Sequence, residues 1–149
     1  GGAYIFSLAS GVYQEVAKQF NVTVAHLHTL KTNPLVRHML QYAGTEVGRA
    51  ADPQVWINRL SGIIATLKPE VAIITDVRFP NEEAFIRDNG GSIIKVERPS
   101  LGENTDKHES EIYIDHIQQD WTVKNEGSLL ALERDVKFIV GHIKDRYGI

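Results

Sequence analysis

Two kinds of hydrophobic pattern divide the chain between short strands and amphipathic helices. Continuous apolar runs predict four strands, at residues 3–6, 71–74, 93–96 and 121–123. Apolar positions spaced three and four residues apart predict helices that begin near Ser10, Leu35 and Asp52-Pro53, with two more at 81–89 and 129–143. Residues 21–33 are polar and broken, which predicts a connector. The first 67 residues are therefore expected to be mainly helical.

Capping residues suggest where several helices begin. Ser10 can cap the first helix with its hydroxyl, and Asp52 can cap a later helix in which Pro53 takes the first helical position. Pro34 suits the first turn of its helix, where its missing N–H costs little. Gly44 lies between two helices, where a left-handed backbone conformation is expected.

The run from Val71 to Ile74 predicts the centre of a parallel sheet. It is continuous and β-branched, which is typical of a strand that is covered on both faces. The helix at 81–89 and the strand at 93–96 follow it, so this stretch predicts a right-handed βαβ unit. A chain of 149 residues suits one core. We therefore predict a single α/β domain over residues 1–149.

Composition excludes several classes of protein. The apolar fraction of 42% and the charged fraction of 23% are typical of a globular chain. The absence of cysteine excludes zinc fingers and cysteine hydrolases, and it is compatible with a reducing, cytoplasmic compartment. A net charge of −3 argues against a nucleic-acid partner, and no apolar run is long enough to predict a membrane span.

Polar side chains follow the predicted strands, where parallel sheets bind ligands. Ser7, Asp76, Arg98 and Asn125 each come directly after a strand, and Arg78 follows two residues after Asp76. Arginines can clamp phosphate oxygens, and a carboxylate is a hard ligand for Mg²⁺. This edge therefore favours phosphoryl transfer.

Structural interpretations of the same residues stay open. Asp76 could merely cap a turn, and Arg78 could pair with Glu82 or Glu83 on the surface. His108 could serve in metal ligation or acid–base chemistry, although a lone loop histidine is more often solvated. We assign no function to His26 or His28.

A set of motifs in a fixed order resembles the deoxynucleoside monophosphate kinases of tailed bacteriophages and prophages. The strings are LQ-x-x-GTE-x-x-R at residues 40–49, DVRFPNE at 76–82, and H-x-SE at 108–111, followed by Asn125. Asp52-Pro53, Trp56, Gly90-Gly91 and Arg98-Pro99 lie between and around them. The resemblance runs nearly from end to end.

The resemblance implies a fold like that of adenylate kinase. This is a three-layer sandwich, in which a parallel sheet carries helices on both faces. Residues 10–67 would form a helical arm that grips the monophosphate, and residues 98–112 would form a lid-like segment. The partners implied are small-molecule nucleotides, with a homodimer left open.

The resemblance also implies roles for individual residues. Asp76, Arg78 and Arg98 would be catalytic, with Asp76 organising Mg²⁺ and the arginines neutralising the transferring phosphoryl group. The residues implied to bind the acceptor are Arg37, Gln41, Thr45, Glu46, Arg49, Trp56, Asn81 and Glu82. Those implied to bind ATP are Asn125, His108 and Glu111. Catalysis would then consist of positioning and charge neutralisation.

The sequence departs from this family pattern at the phosphate loop. No G-x-x-x-x-G-K-[ST] string occurs in the 149 residues, and the family pattern places the first strand, this loop and the first helix ahead of the strand at 3–6. We therefore expect that segment to be missing, with a gap where a central strand would lie. The sequence could be a fragment, another chain could supply the segment, or the chain could be a degenerate relative with a rearranged sheet.

Three functions follow from these alternatives. The first is transfer of the γ-phosphate of ATP to a deoxynucleoside 5′-monophosphate. The second is a catalytically inactive module that binds nucleotides. The third is a structural or interaction protein that reuses the family scaffold.

Overall fold

Four short strands form two separate parallel pairs in the computed structural model, which describes residues 2–102 and 108–148. In chain order the strands and helices are β1 (Ala3–Phe6), α1 (Ser10–Phe20), α2 (Val24–Leu30), α3 (Pro34–Tyr42), α4 (Val55–Leu67), β2 (Val71–Ile74), α5 (Pro80–Asp88), β3 (Ile94–Glu97), α6 (Glu109–Ile112), β4 (Trp121–Lys124) and α7 (Leu129–Tyr147). A π-helical segment, Ala43–Arg49, joins α3 to the turn before α4, and short 3₁₀ turns lie at Pro99–Leu101 and Tyr113–His116. The predicted mixed α/β character with parallel strands is confirmed.

The sheet differs from the prediction in two ways. β1 pairs with β2, from Ala3 opposite Val71 onward, and β3 pairs with β4, from Ile94 opposite Trp121 onward. β2 and β3 therefore belong to different sheets, so the predicted βαβ unit across them is wrong for the described residues. The prediction that β2 is covered on both faces is also wrong, because Ile73 is 46% exposed.

Two predicted caps are replaced by other contacts. Ala9, not Ser10, is the N-cap of α1 and has no side-chain capping bond, while the carboxylate of Asp76 accepts the N–H groups of Leu8 and Ala9 just ahead of the helix. Asp52 accepts the N–H of Gln54 and so forms a turn, and α4 begins only at Val55. Local sequence could not show the contact with Asp76, because Ala9 and Asp76 lie 67 residues apart.

The helical arm contains more regular structure than its polarity indicates. The predicted connector at 21–33 holds α2, which begins after the Thr23 cap and buries Leu27 to 3% exposure. The expected start of α3 is confirmed, with Pro34 in the first turn and the Asn33 side chain as cap. Gly44 lies inside the π-helical segment and does not have a positive φ, so that prediction is wrong.

The principal core lies under the arm and beside β1. Leu8 and residues of α1, α2 and α4 form it, and the buried members include Val12, Val16, Leu27, Trp56, Ile57 and Leu60. This packing fixes the start of α1 and the π-helical segment relative to the end of β2. α7 is the last helix in chain order, and it runs four residues past the predicted end, to Tyr147.

Part of the predicted lid-like segment lies outside the described residues. Residues 103–107 fall there, whereas the 3₁₀ turn at Pro99–Leu101 and the short helix α6 belong to the described part. Among the described helices, none combines the length and the apolar character needed to cross a bilayer.

Candidate functional site

A cavity of about 480 Å³ lies between the helical arm and the carboxyl end of β2. Its wall combines residues from α1, α3, the π-helical segment, the loop after β2, and α6. The charged lining residues are Lys31, Arg37, Arg49, Arg78, Asp76, Glu82 and Glu111. Four basic and three acidic groups therefore surround an open space large enough for a small molecule.

Asp76 is tied to the start of α1 by three hydrogen bonds. Its carboxylate accepts from the backbone N–H of Leu8 at 2.8 Å, from that of Ala9 at 2.9 Å, and from the hydroxyl of Ser7 at 2.7 Å. Each carboxylate oxygen can accept about two hydrogen bonds, and Oδ1 accepts only the one from Leu8 among these three. Asp76 thus has a structural role and keeps the capacity to face a ligand.

Glu82 shapes the loop that carries Arg78. Its Oε2 accepts the backbone N–H of Arg78 at 2.7 Å and that of Phe79 at 3.1 Å. The residue is 4% exposed. Burial raises the pKa of Glu82 above its ordinary value, although the two N–H donors and the Arg49 charge act in the opposite direction. The alternative that the Arg78 side chain pairs with Glu82 on the surface differs from the contact observed, which runs through the Arg78 backbone N–H.

Arg49 is held inside the protein by four contacts. Its guanidinium lies 3.7 Å from the centre of the Phe79 ring and 3.6 Å from a carboxylate oxygen of Glu82. It also donates to Asn81 Oδ1 at 3.0 Å and to the Pro53 carbonyl at 3.3 Å. The side chain is only 15% exposed. Arg49 therefore fastens the arm to the loop after β2 while one side still faces the cavity.

Arg78 and Arg37 converge on one carboxylate. Nη1 of Arg78 contacts Oε1 of Glu111, and Nη2 of Arg37 lies 3.9 Å from the same oxygen. Arg37 comes from α3 and Glu111 from α6, so this cluster joins the arm to the segment that follows the lid-like residues.

Trp56 and Thr45 are buried residues that line the cavity. The indole N–H of Trp56 donates to the Gly44 carbonyl at 2.9 Å, and its ring packs so closely on Gly11 and Gly48 that neither position has room for a methyl group. Thr45 is 9% exposed, and Gln41 lines the same wall.

The residues of the H-x-SE string have two different roles. The His108 ring accepts the N–H of Ser110 at 3.2 Å and so caps α6, while its Nε2 lies 3.1 Å from Glu46 Oε1. Ser110 and Glu111 line the cavity. In the described residues no group of three or more potential ligands from His, Cys, Asp and Glu could hold a metal ion.

Nine of the predicted site residues therefore line one cavity, and the others do not. The nine are Asp76, Arg78, Arg37, Gln41, Thr45, Arg49, Trp56, Glu82 and Glu111. Glu46, Asn81 and His108 contact these or their neighbours from outside the lining. Arg98 and Asn125 follow β3 and β4 in the other sheet and do not line the cavity.

Sequence reasoning missed Lys31, Tyr13 and Phe79 as lining residues. Lys31 lies in the polar stretch that predicts a connector at 21–33, so no periodicity identifies it. Tyr13 shows only the helical spacing of an ordinary core residue, although its ring stacks on His28 at 4.2 Å between centroids. Phe79 belongs to the DVRFPNE string, which was the available signal.

Comparison with known proteins identifies the same family. Residues 6–136 match the family described as deoxynucleotide monophosphate kinase. A deoxynucleoside-5′-monophosphate kinase of Escherichia phage T5 is 46% identical over 63 residues, which cover 42% of this chain and 24% of the relative. A protein of Acanthamoeba polyphaga mimivirus, described as a putative deoxynucleotide monophosphate kinase, is 32% identical over 94 residues, or 55% of this chain and 48% of the relative. The chain thus spans half or less of the length of these relatives.

Proposed function

Because the chain belongs to the deoxynucleotide monophosphate kinase family, we propose that it supplies the acceptor site of an enzyme that transfers the γ-phosphate of ATP to a deoxynucleoside 5′-monophosphate. The observation that carries this proposal is the cavity in which Arg37, Arg78 and Asp76 meet. Two guanidinium groups provide the paired donors that a phosphate needs, and the carboxylate lies on the same wall.

The phosphate end of the acceptor is proposed to lie against the two arginines. Arg78 is 42% exposed and Arg37 is 54% exposed, so both keep surface that an incoming anion can contact. A guanidinium group presents its N–H donors in a planar fork that matches the oxygens of a phosphate. Positioning and charge neutralisation by such groups are the main contributions that a protein makes to phosphoryl transfer.

The nucleoside end is proposed to extend along the helical arm. Gln41 and Thr45 offer hydrogen-bonding groups on that wall, and Tyr13 offers an aromatic face. Trp56 acts indirectly, because its indole is committed to Gly44 and packs against the glycines beneath the cavity. Glu82 and Arg49 hold the wall in place.

Mg²⁺ is proposed to be held by Asp76 together with the nucleotide phosphates. Mg²⁺ commonly binds through one or two carboxylates and substrate oxygens, so a single available carboxylate fits this mode. When bound, the ion would neutralise phosphate charge during transfer. The hydrogen bonds from Ser7, Leu8 and Ala9 fix the orientation of Asp76.

The ATP side is proposed to lie toward Arg98 and Asn125, at the ends of β3 and β4. A phosphate loop from polypeptide beyond these 149 residues would complete it, since this sequence contains no such string. The strand that leads into the loop is proposed to lie between β2 and β3 and to join the two pairs into one sheet. That sheet, with helices on both faces, would be the three-layer sandwich.

A transfer assay tests this proposal. The protein is incubated with ATP, Mg²⁺ and each of the four deoxynucleoside 5′-monophosphates, and diphosphate formation is followed by chromatography. The intact mass of the same preparation is compared with 16.7 kDa. We expect diphosphate formation from a preparation that includes a phosphate loop, and failure of such a preparation on all four acceptors contradicts kinase activity.

A nucleotide-binding module without turnover is the second candidate. The same cavity supports binding, and these 149 residues contain no phosphate-loop string. Tight acceptor binding without diphosphate formation, from a preparation that includes a phosphate loop, would favour this candidate.

A further inference from the structure

Glu111 places a buried carboxylate between two arginines of the cavity. Its side chain is 8% exposed, whereas those of Arg78 and Arg37 are 42% and 54% exposed. The two arginines come from separate parts of the fold, the loop after β2 and α3. We propose that Glu111 occupies the position of an anionic phosphate between them, and that it thereby sets the affinity of the site for the acceptor phosphate. This inference rests on the proposed function.

The chemistry of the two anions makes them competitors. A carboxylate and a phosphate use the same paired N–H donors of a guanidinium. A phosphate monoester carries about −1.5 to −2 charges at neutral pH, more than the single charge of a carboxylate. Binding therefore moves Glu111 aside or brings two anions together, and both processes reduce the observed affinity.

The local charge balance gives the expected direction of change. Four basic and three acidic side chains line the cavity, so the formal net charge of the lining is +1. The change Glu111→Gln raises this to +2 while nearly preserving shape, and the amide oxygen can still accept a hydrogen bond from one arginine. We expect phosphate affinity to rise roughly tenfold, since unlike charges a few ångströms apart interact strongly in a partly buried site.

This role differs from simple support of the fold. Glu111 contacts the arginines and is a positioning residue. If it only kept the arginines in place, its replacement would weaken binding or leave it unchanged. Tighter binding with a steeper dependence on salt is therefore the specific signature of a phosphate substitute.

The test is calorimetric titration of wild type and Glu111→Gln with inorganic phosphate and with each deoxynucleoside 5′-monophosphate, at low and high salt. Glu109→Gln is the matched control, because Glu109 is exposed on the same short helix and its replacement removes the same charge. We expect both kinds of ligand to bind Glu111→Gln roughly tenfold more tightly, and the control to match wild type. Equal or weaker binding by folded Glu111→Gln overturns the inference.

A second variant keeps the test decisive if the glutamine variant does not fold. Glu111→Asp retains the charge but shortens its reach by one methylene, so its contact with the arginines is weakened. We expect phosphate affinity between those of wild type and the glutamine variant. Affinity at or below the wild-type value again overturns the inference.

The two ligands separate this inference from the proposed function. If Glu111→Gln binds inorganic phosphate more tightly but no nucleoside monophosphate binds better than phosphate itself, the inference stands and the proposed acceptor function fails. If the monophosphates bind wild type tightly and Glu111→Gln changes nothing, the inference alone fails. If neither wild type nor folded Glu111→Gln binds either ligand, both the inference and the proposed function are contradicted.

Discussion

Asp76 and Glu82 show how a carboxylate beside a binding cavity can also hold the backbone. Asp76 accepts two N–H groups at the start of α1, and Glu82 accepts two from the loop that carries Arg78. Carboxylates are suited to this because each oxygen accepts charge-assisted hydrogen bonds. A substitution at either position will therefore alter the geometry of the cavity as well as its charge.

The buried carboxyl of Glu82 predicts a pH-dependent contribution to stability. Its folded pKa is raised, chiefly by burial, above its ordinary value of 4.5. The folded state therefore holds this proton more tightly than the unfolded state, so the contribution is complete below about pH 4.5 and is lost as the pH rises through the folded pKa.

Glu82→Gln isolates that contribution. Glutamine cannot ionise, so its variant lacks the loss on raising the pH. We expect the unfolding free energy of Glu82→Gln, relative to wild type, to increase between pH 4 and pH 8 in urea titrations. A relative stability that falls over the same interval would show that the ionised form of Glu82 is the one the fold favours.

Gly48 and Gly62 predict opposite effects of the same substitution. A Cβ atom at Gly48 would lie 2.5 Å from the Trp56 ring, while one at Gly62, inside α4, would meet nothing within 4 Å. We expect Gly48→Ala to lower the unfolding free energy by about 1–3 kcal/mol through overpacking. Gly62→Ala should raise it by about 0.5–1 kcal/mol, because alanine loses less entropy in a helix. Similar effects in thermal unfolding would contradict the packing of Trp56.

At the scale of elements, the arm is fastened to the sheet side by two sets of contacts. Arg49 binds the Phe79 ring, Asn81 and the Pro53 carbonyl, so it ties the turn before α4 to the start of α5. His108 ties the start of α6 to Glu46 in the π-helical segment. These contacts place parts that are far apart in sequence around one cavity.

The elements that the sequence predicted well have local causes. An apolar run predicts β1, and Pro34 predicts the first turn of α3. The glycine after Asn89, Gly90, predicts the end of α5 and has a φ of +74°. α2 is not predicted because it has only seven residues and Leu27 is its one buried residue. The true start of α1 depends on Asp76, which only the folded chain brings near.

The site also contains residues that the sequence identifies and contacts that only the folded chain produces. The order of the strings at 40–49, 76–82 and 108–111 was enough to nominate Asp76, Arg78 and Glu111. It could not show that Arg78 would pair with Glu111 across 33 residues, or that the Arg49 side chain would be engaged by the protein. Such pairings depend on how α3, α6 and the loop after β2 are packed together.

In the molecule as a whole, the two strand pairs have strand edges at which a further strand could pair. Val71 donates to the carbonyl of Gly2, just before β1, and Thr75 donates to that of Phe6. The alternation of a parallel ladder therefore directs the N–H groups of Ala72 and Ile74 to the opposite side. Apolar side chains are exposed on both pairs, with Ile73 at 46% and Val96 at 64%. Unpaired strand edges with apolar faces are normally covered.

Amide hydrogen exchange tests whether one continuous sheet exists in a preparation that has the proposed activity. In a preparation that forms nucleoside diphosphate, we expect the Ala72 and Ile74 amides to be protected to the same degree as Ile73, because an inserted strand would accept from them. Fast exchange at these two amides in an active preparation would mean that β2 remains an edge, and the proposal of a single sheet would be wrong.

The proposed function depends on binding of an acceptor phosphate by Arg78 and Arg37, and calorimetric titration with the four deoxynucleoside 5′-monophosphates measures that binding. Wild type is compared with Arg78→Gln and with the control Arg134→Gln, an exposed arginine on α7 whose side chain is 77% accessible. Loss of a charge-assisted contact worth about 1.5–3 kcal/mol should weaken binding by about 10- to 100-fold in Arg78→Gln and leave the control unchanged. Equal affinities in all three proteins, with Arg78→Gln shown to be folded, would mean that Arg78 does not bind the acceptor phosphate.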